Sequence, residues 1–352
     1  MGRFSSKLAS AIEGLSFDDV LLLPRYSDIK LDSIDISTEI AKGVKLKIPI
    51  LSSPMDTVTN RKVVLELGSK GGLGVLPRNV NTKLVLTIIS EAKERKIPVA
   101  AAVGPFDDNK VSLFAEKGIN MIVIDTAHGH SKNVIEATRR FKNEYGLPIM
   151  SGNVATGEGA EALISAGADV LRVGVGSGHA CTTREITGVG VPQLTAISWV
   201  ADVAKDYGVG VVADGGIEKP SDMVKALAAG ADAVMLGYLI AGSKESAGSL
   251  LVTNDGKLYK QYRGMGSKSA LKKGSPRYGE FKNVPEGVEG FIEIKGSLSS
   301  IIDMLINSLK QAMGYLGAAT LAELKEKAIF IKITNSGLYE SKPRGFLILE
   351  RD

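Results

Sequence analysis

One pattern recurs along this chain and restricts its fold more than any other feature. Eight short runs of apolar and β-branched residues each end in a polar or glycine-rich tip, and an amphipathic stretch follows. The runs are 49–53, 72–76, 98–103, 121–125, 148–152, 170–174, 208–214 and 233–238. Helical periodicity fills segments between them, as at 83–95, 133–145, 157–166, 194–207 and 220–229. Strands this uniformly apolar are buried on both faces, which means a parallel sheet with helices packed outside it. Eight such units in succession predict an α/β fold, a (β/α)8 TIM barrel, in preference to a doubly wound open sheet.

Two units echo each other. Ala166-Gly-Ala-Asp-Val170 and Ala229-Gly-Ala-Asp-Ala233 each place a glycine where a helix stops and a strand begins. These read as stability turns at the lower end of the barrel. No Ser- or Pro-rich linker interrupts the chain, so 1–352 is read as one domain. Residues 268–290 are polar, charged and glycine-punctuated, and are read as a mobile flap after the eighth strand. Beyond it, helices are expected at 299–314 and 321–327, and a strand-like run at 328–334.

Composition excludes several classes. The 43 basic and 39 acidic residues leave a net charge of +4, too mild to argue for nucleic acid or a membrane surface. There is no apolar run long enough to span a bilayer, and no secretory signal at the N-terminus. The single cysteine, Cys181, forbids an internal disulfide or a multi-cysteine zinc site. A reducing, cytoplasmic setting is expected. The 40 glycines point to close backbone approaches of the kind that line phosphate sites.

In a barrel of this type the chemistry lies at the C-terminal tips of the strands. Cys181 stands in such a tip, between Gly-Val-Gly-Ser-Gly-His-Ala and Thr-Thr-Arg-Glu. A loop rich in N–H groups favours a thiolate, so the thiol reads as a nucleophile or, alternatively, as an inert buried side chain. Asp214-Gly-Gly216 and Gly237 end the seventh and eighth runs, where barrels frequently cradle phosphate, and Asp214 could accept from ribose hydroxyls. His128 and His130 flank Gly129 without an evident third ligand, so a metal pair is not expected. Trp199 reads as core packing.

Taken together, these tips resemble the IMP dehydrogenase/GMP reductase family. Gly14–Pro24 (GLSFDDVLLLP), Ser53–Thr59 (SPMDTVT), Asp125–Ser131 (DTAHGHS), Gly174–Arg184, Ala213–Ile217 and Tyr262–Ser267 (YRGMGS) follow in the family's order. The resemblance implies that Cys181 attacks C2 of IMP, that a hydride leaves for NAD+, and that water hydrolyses the thioimidate to XMP. Thr183 would place the water, Arg277 would act as flap base beside Tyr278, and Glu286 would bind the base edge or relay a proton. Ser53, His179, Gly216, Gly237, Tyr238 and Tyr262 match phosphate positions. Asp214 matches the ribose ligand, and Met265 and Gly266 the base contacts. Asp125, Asn153, Arg172 and Gly174 match positions near the nicotinamide and the reacting centre. A potassium ion is implied at the carbonyls of Gly176, Gly178 and Cys181, with Glu340, Ser341 and Lys342 of a neighbouring subunit, and hence a homotetramer.

The same resemblance admits a GMP reductase, which takes GMP to IMP and ammonia with NADPH, and a non-catalytic or altered-substrate nucleotide-binding paralogue. Arg277-Tyr278 and the DTAHGHS motif match the dehydrogenase side. The regulatory module of paired repeats that most dehydrogenases insert after the second strand is not expected, because few residues separate Leu76 from Pro98. Two positions depart from the family pattern. Histidine stands at 179 where serine is usual, and tyrosine at 238 where serine or glycine is usual.

Overall fold

The computed structural model describes residues 3–272 and 284–345. Eight parallel strands form the barrel: β1 (Ile50–Ser52), β2 (Gly74–Leu76), β3 (Val99–Val103), β4 (Met121–Asp125), β5 (Ile149–Val154), β6 (Val170–Val173), β7 (Gly210–Asp214) and β8 (Ala233–Leu236). Their order in the sheet is β1-β8-β7-β6-β5-β4-β3-β2, and a parallel bridge between Leu51 and Leu73 joins its two edges. The outer ring is α1 (Arg61–Ser69), α2 (Thr82–Glu94), α3 (Asp108–Lys117), α4 (Lys132–Tyr145), α5 (Gly157–Ser165), α6 (Gln193–Tyr207), α7 (Pro220–Ala228) and α8 (Leu298–Leu316). The (β/α)8 barrel expected from periodicity is present. α8 packs against both α7 and α1, which completes the ring.

Local chemistry sets these elements. Asn60 starts α1 by accepting from the Val63 N–H at 3.0 Å, and Thr156 starts α5 by accepting from the Gly159 N–H at 3.2 Å. α4 buries Val134, Ala137, Thr138 and Phe141, a stripe at helical spacing turned towards the sheet. Gly146 then ends α4 in the left-handed region, at φ +62°.

Two apolar layers result. One lies between the sheet and its helices. The other fills the lower barrel with Leu51, Val75, Met121, Val123, Met150 and Val212, among others. A hairpin of Thr38–Ala41 and Val44–Leu46 plugs that end, burying Ile40, Val44 and Leu46 in the same cluster. Each such side chain contributes about 1.5–3 kcal/mol by leaving water. The upper barrel is polar, and it holds the site.

Several expectations need correction. The 233–238 run stops at Leu236, and Tyr238 opens a one-turn helix, Tyr238–Ala241. The 148–152 run continues to Val154. Trp199 is half-buried and not a core residue. The 268–290 segment starts with a helical turn, Lys268–Lys272, and its last two residues belong to a strand, Glu289–Glu293. That strand pairs with Leu258–Arg263, which pairs with Leu250–Val252, forming a separate antiparallel sheet. Residues 273–283, with Arg277 and Tyr278, lie outside the described residues. The 328–334 run supplies Phe330–Lys332, which pairs antiparallel with Val20–Leu22. Between β2 and β3 the chain forms only α2. Among the described residues no helix is long and apolar enough to cross a membrane.

Candidate active site

The upper barrel is organised around one buried cation. Arg172 on β6 is 1% exposed. Its NH1 donates to Asp125 Oδ1 at the end of β4, at 2.5 Å, and its Nε to Asp214 Oδ2 at the end of β7, at 2.9 Å. Asn153 Nδ2 donates to the same Asp214 oxygen at 2.8 Å and to the Gly174 carbonyl at 2.9 Å. An arginine this deep is tolerated because two carboxylates meet its planar fork. The brace fixes Asp214 and leaves its other carboxylate oxygen without a partner among the described residues. The four residues expected near the cofactor are thus assembled, but the charge of Arg172 is already satisfied by protein.

Two further donors steady the tip of β7. Ser177 Oγ and Gln193 Nε2 both donate to the Asp214 carbonyl, at 3.0 and 3.1 Å. Gly215 and Gly216 follow at φ +96° and +78°, which side chains rarely adopt. A Cβ at Gly215 would lie 2.6 Å from Ser177 Oγ, so the close approach of the two loops requires glycine there.

Cys181 is half-buried beside this turn. Its Sγ donates to Thr183 Oγ1 at 3.1 Å, and Thr183 Oγ1 donates to Glu286 Oε2 at 2.8 Å. A proton leaving the thiol therefore has a continuous hydrogen-bonded route to a buried carboxylate. Backbone pairing holds the relay in register. Cys181 bridges Gly287 in antiparallel fashion, and the Val288 N–H donates to the Ala180 carbonyl at 2.9 Å. Glu286 comes to the cysteine in this way, from more than 100 positions away in sequence.

One pocket collects almost every described candidate. Its lining includes Ser53, Asn153, Arg172, Gly174, Gly176, Gly178, His179, Cys181, Thr183, Asp214, Gly216, Gly237, Tyr238, Tyr262, Met265, Gly266 and Glu286. Asp125 sits just beneath, on Arg172. Tyr262 is buried, and burial pushes its phenol well above the usual range, helped by Asp214, Cys181 and Tyr238, so it stands as a neutral donor. Glu340 ends the short helix Asn335–Glu340, and Ser341 and Lys342 follow it on the exposed surface, outside the pocket. His128 and His130 have ring centroids 6.2 Å apart, and among the described residues no group of three or more His, Cys, Asp and Glu side chains could hold a metal ion.

A profile of the IMP dehydrogenase / GMP reductase domain matches residues 14–344. The chain belongs to that family. It is 37% identical over 378 residues to an inosine-5'-monophosphate dehydrogenase of Cryptosporidium parvum, covering 94% of both chains. It is 38% identical over 391 residues to one from Borreliella burgdorferi, covering 94% of this chain and 96% of the relative. For the Aquifex aeolicus protein of the same name the identity is 35% over 465 residues, covering 94% and 95%. That alignment is longer than this chain of 352, so the Aquifex relative carries residues with no counterpart here.

Sequence reasoning missed some members of this family site. Ser177 and Gln193 steady Asp214 through its main chain, and nothing in their types announces that. Glu218 lines the pocket unannounced. Asp56 and Arg263 form a bidentate pair, with Arg263 only 2% exposed. Each lies inside a motif quoted above, SPMDTVT and YRGMGS, so the pair explains why those two stretches adjoin.

Proposed function

We propose that this protein oxidises IMP to XMP with NAD+ and supplies guanine nucleotide synthesis in the cytoplasm. The observation that carries the reading is the Cys181–Thr183–Glu286 relay opening onto a pocket whose floor is Asp214. The dehydrogenase name of the relatives favours this direction over GMP reduction.

The chain's residues divide the work as follows. The free oxygen of Asp214 accepts from the ribose hydroxyls. The N–H groups of Gly216 and Gly237, with the hydroxyls of Ser53 and Tyr262, hold the phosphate. Met265 and Gly266 face the base. Cys181 gives its proton to the relay, and its sulfur bonds to C2 as a hydride departs from that carbon. NAD+, when bound, supplies the hydride acceptor; Asn153 and Gly174 line the side of the pocket where it would sit. Water then adds to C2, the C2–S bond breaks, and the thiolate returns. Thr183 and Glu286 orient that water, and Arg277 with Tyr278 takes its proton. Splitting the change into two steps is what covalent catalysis offers.

Potassium fits the donor chemistry of the cysteine loop. Carbonyl oxygens suit hard cations, and the loop is folded on itself by the Cys181 N–H, which donates to the Gly178 carbonyl at 3.0 Å and leaves that oxygen a second lone pair. Gly176, Gly178 and Cys181 would hold the ion, completed by Glu340, Ser341 and Lys342 of another subunit in a homotetramer.

The test is a pair of assays in potassium buffer, one with IMP and NAD+ and the other with GMP and NADPH. NADH should form in the first and no NADPH should be consumed in the second. NADPH consumption with GMP alone would reverse the assignment, and turnover in neither would favour a binding protein.

A further inference from the structure

A second buried arginine stands outside the lining of the pocket. Arg263 ends the strand Leu258–Arg263 and is hidden from solvent. Its Nε donates to Asp56 Oδ1 at 3.2 Å, and its NH2 donates to the other oxygen of the same carboxylate. Asp56 lies in the loop after β1, and Asn79, from the loop after β2, donates to its Oδ2 at 3.0 Å. Neither member of the pair belongs to a barrel strand. A buried ion pair is a weak source of stability, because desolvation offsets its attraction. What a two-bond fork supplies is a fixed orientation.

Arg263 also holds both arms of the ribbon that meets the cysteine loop. Its NH1 donates to Ser269 Oγ at 3.1 Å. Ser269 in turn donates to Glu289, which lies directly across from Arg263 in the antiparallel ladder. Beyond Arg263 the two arms stay paired. The Gly264 N–H donates to the Val288 carbonyl at 2.9 Å, and the Glu286 N–H to the Gly266 carbonyl at 3.0 Å. The ribbon rests on the cysteine loop through the Cys181–Gly287 bridge. It lies so close there that a Cβ at Gly264 would stand 2.5 Å from the Ala180 carbonyl oxygen. Glu286 reaches Thr183 from this ribbon. Its carboxylate therefore takes its place from a backbone that Arg263 clamps to the barrel rim.

We propose that Asp56 and Arg263 are a positioning pair for the relay. The fork between them sets where the ribbon lies on the rim, and so the distance from Glu286 to Thr183. Neither side chain lines the pocket, so the pair acts through Glu286 and not on the ligand. The inference rests on the IMP-oxidation reading of this site.

Steady-state IMP oxidation and hydrogen exchange on the full chain test it. Arg263→Lys keeps the charge and loses the fork. At saturating IMP and NAD+ it should lower kcat about 10-fold in the otherwise wild-type chain. Where Glu286→Ala has already removed the group being positioned, the same change should lower the residual kcat less than about 2-fold. Asp56→Asn, which keeps the shape of the acid, should follow the same pattern with a smaller loss. Exchange of the Glu286 and Val288 amides should quicken about 10-fold in Arg263→Lys, with the amides of β3, β4 and β5 unchanged. Equal losses of kcat with and without Glu286, or quickened exchange throughout the barrel, would make the pair part of the architecture and overturn the proposal. Failure of both variants to fold would do the same. Unchanged exchange at the two ribbon amides overturns it whether or not IMP is oxidised, whereas wild-type protein that does not oxidise IMP defeats the oxidation reading itself.

Discussion

At the lower end of the barrel, Asp169 and Asp232 do the same work in two places. Each carboxylate accepts an N–H from the neighbouring strand at 2.8 Å, from Ile149 and Val211 respectively. Each also pairs with a lysine, Lys142 on α4 and Lys325 on the helix Leu321–Lys327. Around the cysteine pocket the described groups do not repeat one another in this way. Arg172 reaches two different acids, and Cys181, Thr183 and Glu286 form a single line of contacts. A repeated device serves the architecture, because in both places it ties the starts of two adjacent strands together. An unrepeated device requires one particular geometry, which a symmetric fold does not need for itself.

Cys181→Ser would separate the two ends most sharply. Catalysis should fall on the order of 1,000-fold or more, because a hydroxyl at that position is a far weaker nucleophile than the thiolate. Melting temperature should stay within about a degree, since the half-buried sulfur has one hydrogen bond to lose. Activity above a tenth of wild type would remove the covalent step. Large destabilisation would instead make the upper loop part of the architecture.

Next in size is a matched pair of changes. Arg172→Met leaves Asp125 and Asp214 facing each other without their cation, at a cost of about 3–5 kcal/mol, and should abolish nucleotide binding with it. Asp232→Ala removes one N–H bond and a half-exposed ion pair, costing about 1–2 kcal/mol with little change in turnover. Urea melts and initial rates on both variants check this. If Asp232→Ala impaired turnover as much as stability, the division between the two ends would fail.

That division also explains what could be read without coordinates. The eight strands lie within a residue or two of the apolar runs, because burial on both faces leaves a continuous signal. The sheet of Leu258–Arg263 and its neighbours stayed hidden because LYKQYR mixes charge with aromatic residues, and its two edge strands are mostly exposed. The family resemblance pointed to Cys181, Thr183 and Glu286, but the distances between them depend on the Cys181–Gly287 bridge, a long-range pairing with no local trace. Arg172 was expected near the cofactor, and only the fold reveals that two acids consume its charge.

The smallest expected effect tests whether every strand tip at the upper end belongs to the chemistry. Asp107, just beyond β3, accepts from the Gly104 N–H at 2.7 Å and from Arg78 Nε at 2.9 Å. Burial alone would raise its carboxyl. The Gly104 N–H, Arg78 and nearby Lys110 outweigh that and hold it below the ordinary carboxylate range. The sign follows from linkage. The ionised group stabilises the fold fully above its unfolded pKa of about 3.8, and that stability is lost as pH falls through the lower folded value. Asp107→Asn should therefore cost about 1 kcal/mol at pH 7, and the difference from wild type should shrink in acid. Turnover at pH 7 should hardly change, because Asp107 is absent from the pocket that collects Cys181 and Asp214. A pH-independent gap in stability would mean that shape, and not charge, is what Asp107 supplies. A loss of turnover would extend the unrepeated, functional half of the barrel round to β3.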